Sequence, residues 1–231
     1  MIVGVVLTGL VVLGPARGTL ARWVGPDRAY SRDHQRLLDS VGAVRPIPAR
    51  LSGGLPYRPY DPVSIQRSAA PAAPGLPPAT RSGDGAVQLS SGIAFPSEIV
   101  NAIRRAGGKQ ASPEDRATLA ALNLLNGDPD EAVRLFQGAH QQAPDDPRFL
   151  NDLAAALLAV HETTGDPWSA IEALEKALQA ERLEPTLPAL FNKALALERL
   201  RARTRAIAAW GQYLDADSGS PWAQEARQRL D

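Results

Sequence analysis

The sequence of 231 residues contains no cysteine, which excludes disulfides, thiolate metal sites and cysteine nucleophiles. Only three histidines occur, and the wide separation of His34, His140 and His161 does not suggest a zinc site. Aromatic residues make up 5% of the chain, which is little for a β-sandwich. This composition favours an α-helical protein without catalytic activity. We therefore expect no enzyme, no cofactor, no bound metal and no small-molecule substrate.

The chain also lacks an excess of charge of either sign, because 25 Lys and Arg balance 25 Asp and Glu. A neutral chain gives no indication of a nucleic-acid partner. The balance conceals an asymmetry, since residues 1–95 carry ten arginines and five aspartates, whereas residues 96–231 carry 15 basic and 20 acidic side chains. Ten of the 20 prolines lie between Pro46 and Pro96. The first part of the chain is therefore basic and rich in proline, and the second part is acidic.

No hydrophobic run reaches the usual length of a membrane span. Ile2 to Leu13 is uncharged and apolar, but as a helix it covers only about 18 Å of a hydrocarbon core of about 30 Å. Residues 1–24 can form a membrane anchor if the Arg17 side chain extends to the membrane surface and Trp23 lies at the interface. The apolar run is short for a membrane span, which suggests that the anchor is truncated. The arginines that follow favour a single-pass inner-membrane protein whose remaining part is cytoplasmic. Two alternatives stay open: a signal peptide, which would make the protein periplasmic, and a buried apolar strand or helix.

Residues 25–95 are predicted to contain little regular structure. A short basic helix is expected within residues 25–43, from about Arg32 to Val41, with Ser31 as its cap. Residues 44–95 read as a Pro/Gly/Ser-rich connector with too few apolar residues to fold independently. Within it, Arg50 to Tyr60 carries two arginines and two tyrosines. This stretch could pack as a strand on a neighbour, present a docking motif or serve only as a linker.

The second part of the chain carries repeated helix-start signals. A capping residue followed by proline is typical of a helix N-terminus, because the side chain accepts a backbone hydrogen bond and proline loses none. Such pairs begin at Ser112, Asp128, Asp146, Asp166 and Ser220. With the apolar period that follows each pair, they predict an all-α region. The expected helices are 113–126, 129–142, 147–163, 167–183, 187–200, 203–215 and 221–230, with a weaker one near 97–106.

Alternate helices share one pattern of small and large residues. Spacings of four and three place a small residue, a bulky residue and a second small or aromatic residue on one helix face. The three sets are Ala132, Phe136 and Ala139; Ala170, Leu174 and Ala177; and Ala206, Trp210 and Tyr213. The chain resembles the tetratricopeptide repeat family in this pattern, whose unit is a helix–turn–helix of 34 residues. The resemblance covers roughly residues 113–231 and implies a helical solenoid of about three repeats plus a capping helix, within a predicted domain of residues 96–231. The second repeat departs from the family because it is longer, with Ala132 and Ala170 lying 38 residues apart.

The resemblance also implies a function. Tetratricopeptide arrays bind peptides in the concave groove formed by the first helices of the repeats, so we expect a non-catalytic scaffold for a protein or peptide partner. The predicted groove residues are Arg148, Asn151, Leu158, Phe191, Leu195 and Glu198. The family's clamp for a C-terminal carboxylate uses Lys, Arg and Asn, whereas Ala117, Ala121, Asp152 and Pro188 stand at most of those positions. Capture of a C-terminal carboxylate is therefore not expected.

A narrower resemblance gives an alternative function. The apolar start, the basic helix, the Arg-Leu-Ser-Gly-Gly stretch at residues 50–54 and the Ala-rich repeats look like the front part of bacterial proteins that join such repeats to a caspase-like CHAT domain. This resemblance would imply a recruiting or regulatory region of a larger peptidase or signalling protein. Because the chain has no cysteine, any protease activity would reside outside it.

Overall fold

The structure, a computed structural model, describes residues 24–61, 87–88, 94–95 and 111–230. Two short antiparallel strands, β1 (Val87–Gln88) and β2 (Ala94–Phe95), pair Val87 with Phe95 and Gln88 with Ala94. Every other regular element in the described ranges is a helix. The helices are α1 (Arg32–Asp39), α2 (Pro113–Leu125), α3 (Pro129–Gln142), α4 (Pro147–Thr164), α5 (Pro167–Leu183), α6 (Leu187–Arg199), α7 (Arg203–Ala216) and α8 (Pro221–Gln228).

Most helix starts carry the side-chain caps that the sequence indicates. Ser31 accepts a hydrogen bond from the backbone N–H of His34 at the start of α1. The five Ser-Pro and Asp-Pro pairs all cap helices through their first residue, whose side chain accepts from a backbone N–H two or three positions later: Ser112, Asp128, Asp146, Asp166 and Ser220. These bonds satisfy N–H groups that have no partner within the helix.

Six helices form three pairs, and the pairs pack in series. Helices α2 and α3, α4 and α5, and α6 and α7 are joined by short turns, and α8 packs against α7 as a cap. The small residues of the repeated pattern are buried where helices approach each other, and so are Phe136, Trp210 and Tyr213, while Leu174 is half-buried. The predicted fold class, an all-α helical solenoid of three repeats and a capping helix, is confirmed.

The middle repeat is longer than the other two. Helices α4 and α5 have 18 and 17 residues, whereas the helices of the flanking pairs have 13 or 14. Helix α4 ends at Gly165, whose φ of 71° is in the left-handed region that favours glycine. The extra length therefore lies within the helices, and a glycine cap ends the first of them.

The N-terminal segment of residues 24–61 packs onto the helical array. It consists of α1 and an irregular stretch, and it touches the array in one continuous hydrophobic core. Leu37, Leu38, Ile47, Ala49 and Leu51 from this segment are fully buried. The stretch that begins at Arg50 therefore packs on a neighbouring part of the chain and does not act as a bare linker.

Two sequence predictions fall outside the described residues. The anchor predicted over residues 1–24 is described only at Val24, which packs against the core, and the weaker helix near 97–106 is not described. Among the helices within residues 24–61 and 111–230, none combines the length and apolar character that crossing a membrane requires. The domain boundaries at residues 24, 43 and 95 remain predictions.

Candidate peptide-binding groove

One face of the array is built from polar and aromatic side chains that contact an irregular stretch of the chain. We call this surface the groove and define it by Asn151 and Asp152 of α4, Asn192 of α6, Tyr213 of α7, and Trp222 and Glu225 of α8. The irregular stretch, residues 45–55, is called the groove segment. It carries no helix or strand of its own.

Two buried asparagines bind the backbone of the groove segment. The Oδ1 atom of Asn192 accepts from the Arg50 N–H at 2.9 Å, and its Nδ2 donates to the Arg50 carbonyl at 2.8 Å. Asn151 adds a bond from its Nδ2 to the same carbonyl at 3.2 Å and one to Ser52 Oγ at 3.0 Å. The Nδ2 of Asn192 also donates to Asn151 Oδ1 at 2.9 Å. The side-chain amide of Asn192 therefore pairs with both backbone groups of one residue, as a neighbouring strand would.

Asp152 binds the next backbone group of the segment. Its carboxylate accepts from the Ser52 N–H at 2.7 Å, from the Tyr30 hydroxyl at 2.8 Å and from Asn151 Nδ2 at 2.9 Å. Burial raises the pKa of Asp152 to about 7, although these three donors oppose the rise. Asp152 therefore binds a backbone N–H of the groove segment through its carboxylate.

Arg50 fills a site between α7 and α8. One guanidinium nitrogen donates to the Tyr213 hydroxyl at 2.6 Å, and the guanidinium lies 4.8 Å from the centre of the Trp222 ring. Asp27 and Asp217 each place a carboxylate oxygen 4.0 Å from it. Two carboxylates, a hydroxyl and an aromatic face therefore surround this charge, which compensates for its burial.

Arg45 has no exposed surface, and its guanidinium group contacts Glu225 and Trp222 of the array. Its two terminal nitrogens bind both carboxylate oxygens of Glu225 at 2.7 to 2.9 Å. The same guanidinium lies 4.4 Å from the centre of the Trp222 ring and donates to the carbonyls of Ile47, Pro48 and Arg58. Burial raises the pKa of Glu225, but the hydrogen bonds and charges of Arg45 and Arg229 lower it overall, so this carboxylate is ionised at neutral pH.

An aromatic cluster packs against Tyr213 and Trp222, the two rings that contact these arginines. The Phe191 ring lies 4.9 Å from Trp210, 5.4 Å from Tyr213 and 5.2 Å from Trp222, each in an edge-to-face arrangement. Tyr57 of the N-terminal segment completes the cluster at 5.3 Å from Trp222. Rigid rings packed this way hold Trp222 and Tyr213 in place as partners for the guanidinium groups.

The residues predicted for the groove occupy different environments. Asn151 contacts the segment directly, and Leu158, Phe191 and Leu195 are fully buried beneath it or in the helix interfaces. Arg148 is half-buried, pairs with Asp146 and donates to the Ala29 carbonyl at 3.1 Å. Glu198 accepts from Trp210 Nε1 at 3.2 Å and from Arg229 at 2.9 Å. That these six residues bind a separate partner stays a prediction.

Sequence reasoning missed several groove residues. Asn192 and Glu225 were not singled out, and Asp152 was considered only as a departure from the family's clamp. The available signal was a polar residue on the otherwise apolar face of a first helix, as at Asn151-Asp152 and Asn192. Such residues are rarely buried without partners, so they indicate a polar ligand or a neighbouring backbone.

Comparisons with known proteins agree with the repeat pattern. A family model described as tetratricopeptide repeat matches residues 123–163, from the end of α2 to the end of α4. A solved structure of a thermophilic TPR protein in Thermus thermophilus is similar at 23% identity with a TM-score of 0.47, over 53% of this chain and 63% of that chain. The chain thus spans less than two thirds of that protein's length. A search of curated proteins gives no match. The predicted tetratricopeptide resemblance is confirmed, and the narrower CHAT resemblance stays a prediction.

Proposed function

We propose that this protein is a non-catalytic interaction scaffold whose groove binds a peptide segment of a protein partner. The observation that carries the proposal is the pairing of Asn192 with both backbone groups of Arg50. An amide that binds a backbone N–H and carbonyl recognises an extended chain whatever its side chains are, which is the basis of many peptide-binding surfaces.

The buried polar groups of the groove support a peptide occupant. Asn151, Asp152 and Asn192 all lie beneath the segment with at most 1% of their surface exposed. A buried donor or acceptor without a partner costs about 1–3 kcal/mol. Three such groups close together therefore favour an occupant that offers several donors and acceptors, and a peptide backbone supplies them.

The proposal can be tested with the full-length protein as bait in a pull-down. Asn151→Ala removes two bonds to the segment, and Trp168→Ala serves as its control because Trp168 is 73% exposed on α5. We expect partner proteins that the wild type and Trp168→Ala capture to be missing from Asn151→Ala. Circular dichroism must show equal helical content in all three. Capture of the same partners by all three folded proteins would place the binding surface elsewhere and refute the groove.

We also propose that residues 1–24 tether the scaffold to a bacterial inner membrane, with the repeats in the cytoplasm. The support is the uncharged run of residues 2–13, which arginines follow. Deletion should end after Trp23, because Val24 packs against the core. We expect the full chain in the membrane fraction of expressing cells and the deletion variant in the soluble fraction. Recovery of the full chain entirely from the soluble fraction would contradict the tether.

A further inference from the structure

We propose that the groove segment is an exchangeable ligand held on its own chain, and that the groove binds peptides of the same pattern from a partner protein. The pattern is two arginines five positions apart, with the second followed by an aliphatic residue and serine. This inference rests on the proposed function and specifies the chemistry of its partner.

The contacts of the groove segment are those of a bound peptide. Its backbone is held by side chains of the array, through Asn192 at Arg50 and through Asp152 at Ser52. Within the described residues, the segment joins no sheet of the array and forms no helix there. Its position is therefore set by side-chain recognition, as in peptide complexes.

The pattern follows from what each position contacts. The guanidinium of Arg45 contacts Glu225 and the Trp222 ring, and that of Arg50 contacts the Tyr213 hydroxyl and the Trp222 ring. The asparagines bind only the backbone of Arg50 and select no side chain there. Leu51 is fully buried, and Ser52 offers its N–H to Asp152 and its hydroxyl to Asn151. The two arginines act as charged anchors on either side of the buried Ile47 and Ala49. A peptide without Arg45 would leave Glu225 paired with Arg229 alone, and a peptide without Arg50 would remove the guanidinium that lies 4.0 Å from Asp217.

The first anchor has to be arginine rather than lysine. The Arg45 guanidinium binds Glu225 with two nitrogens while it also donates to the carbonyls of Ile47 and Pro48 in the groove segment and to the Arg58 carbonyl beyond it. These bonds bend the peptide backbone around the Arg45 guanidinium group and fix the conformation of the peptide. A lysine ammonium has three donors on a flexible stem and cannot reproduce this planar fork.

Attachment to the same chain makes the segment a built-in competitor. A ligand connected to its site by a linker acts at an effective concentration of about millimolar order. A partner peptide of equal intrinsic affinity therefore has to exceed that concentration or act when the segment is released. The intact protein is expected to bind partner peptides weakly, and a protein with a detached segment is expected to bind them strongly.

The test converts the attached segment into a separate peptide without changing any residue of the described contacts. A specific protease site is placed after Gly75 in the full-length protein, and the connection is then cut. A fluorescent peptide of residues 24–61 is added to cut and uncut protein, and uptake is followed by anisotropy and size exclusion. We expect the cut protein to take up the labelled peptide in exchange for its own, with unchanged helical content, and the uncut protein to take up at least tenfold less. Loss of helical structure on exchange, or no exchange, would show that the segment is a fixed part of the fold and would overturn the inference.

Two peptide variants test the pattern itself. Arg45→Lys should reduce the affinity for the cut protein by about tenfold or more. Arg58→Lys is the matched control, because the half-exposed Arg58 side chain bonds only the carbonyls of Gly42 and Tyr57 among the described residues. Equal binding of both variants would overturn the arginine rule. If the peptide is not exchanged while pull-down partners still depend on Asn151, the scaffold function stands and only the proposed ligand fails.

Discussion

Two arginines of the N-terminal segment are buried, and burying a guanidinium group is costly unless nearby partners compensate for its charge. Arg45 is 0% exposed and Arg50 is 7% exposed. Each is surrounded by a carboxylate and an aromatic face, and Arg45 uses carbonyls for its remaining donors. Removal of one partner of a buried pair leaves an uncompensated charge, which costs more than the pair contributes.

Glu225→Gln should lower the free energy of unfolding by about 3 kcal/mol or more, because it leaves Arg45 buried without its counter-charge. Glu175→Gln is the matched control, since its carboxylate pairs with Lys176 at 57% exposure and should change stability by less than about 1 kcal/mol. Urea unfolding of the two variants and the wild type measures both effects. Equal stability of both variants would show that the Arg45 pair is solvated.

Asp152 and His34 make opposite contributions to the pH dependence of stability. Burial raises the pKa of Asp152 to about 7, so its folded form binds a proton that the unfolded chain has released above about pH 4. Stability from this group is therefore present at low pH and is lost as the pH rises to 7. Burial lowers the pKa of His34 to about 4, so its contribution is present above pH 6.5 and is lost as the pH falls to 4.

Asp152→Asn should isolate one of these two contributions. An amide retains an acceptor for the Ser52 N–H but does not titrate. As the pH is lowered from 7 to 4, the stability of the variant relative to wild type should fall by about 1.4 kcal/mol for each pH unit. Urea unfolding over this range gives the difference directly. A difference that does not change with pH would show that Tyr30 and Ser52 keep Asp152 ionised throughout.

At the scale of helices, the capping residues and the apolar period in the local sequence are sufficient to predict where the helices begin. Six helices of the array begin after a capping residue that proline follows within two positions, and five of these caps are evident from adjacent pairs in the sequence. Thr186 caps α6 one residue before its Leu-Pro pair, which a search for adjacent pairs misses. Helix α7 follows Ala202, which provides no side-chain cap. Its start is nevertheless predictable, because the apolar period of α7 is itself clear.

Trp210→Ala should lower the free energy of unfolding by about 3–5 kcal/mol. Trp210 is 1% exposed, and its ring packs 4.9 Å from Phe191 between the last repeat and its cap. Ile207→Ala is the control on the same helix, because Ile207 is 47% exposed and should lose far less stability. Thermal and urea unfolding measure both changes. If the two variants were equally stable, the assigned face of α7 would be wrong.

At the scale of the whole molecule, the docking of the N-terminal segment was not predictable from periodicity. Residues 40–61 form no helix in the structure, so neither a 3.6-residue nor a two-residue pattern marks the buried positions. The charge asymmetry was the remaining signal, since a basic first part and an acidic second part attract each other. In the structure, the two parts form ion pairs between Arg45 and Glu225 and between Arg50 and Asp217. The charge asymmetry alone did not predict this contact, because only the packing of the array specifies which residues meet.

Hydrogen exchange should show that this irregular segment is as well anchored as a helix. The amides of Arg50 and Ser52 donate to buried acceptors on Asn192 and Asp152, so we expect them to exchange at least a hundredfold more slowly than in an unstructured chain. Asn192→Ala removes the acceptor of one amide only, and it should accelerate exchange at Arg50 more than at Gly54, whose N–H donates to Asp27. Residue-resolved NMR in the full-length protein measures these rates. If the Arg50 amide of the wild type exchanged as fast as in a random coil, the segment would not occupy the groove in solution. If the Asn192→Ala variant accelerated exchange equally at Arg50 and Gly54, the segment would leave the array as one unit rather than being held residue by residue.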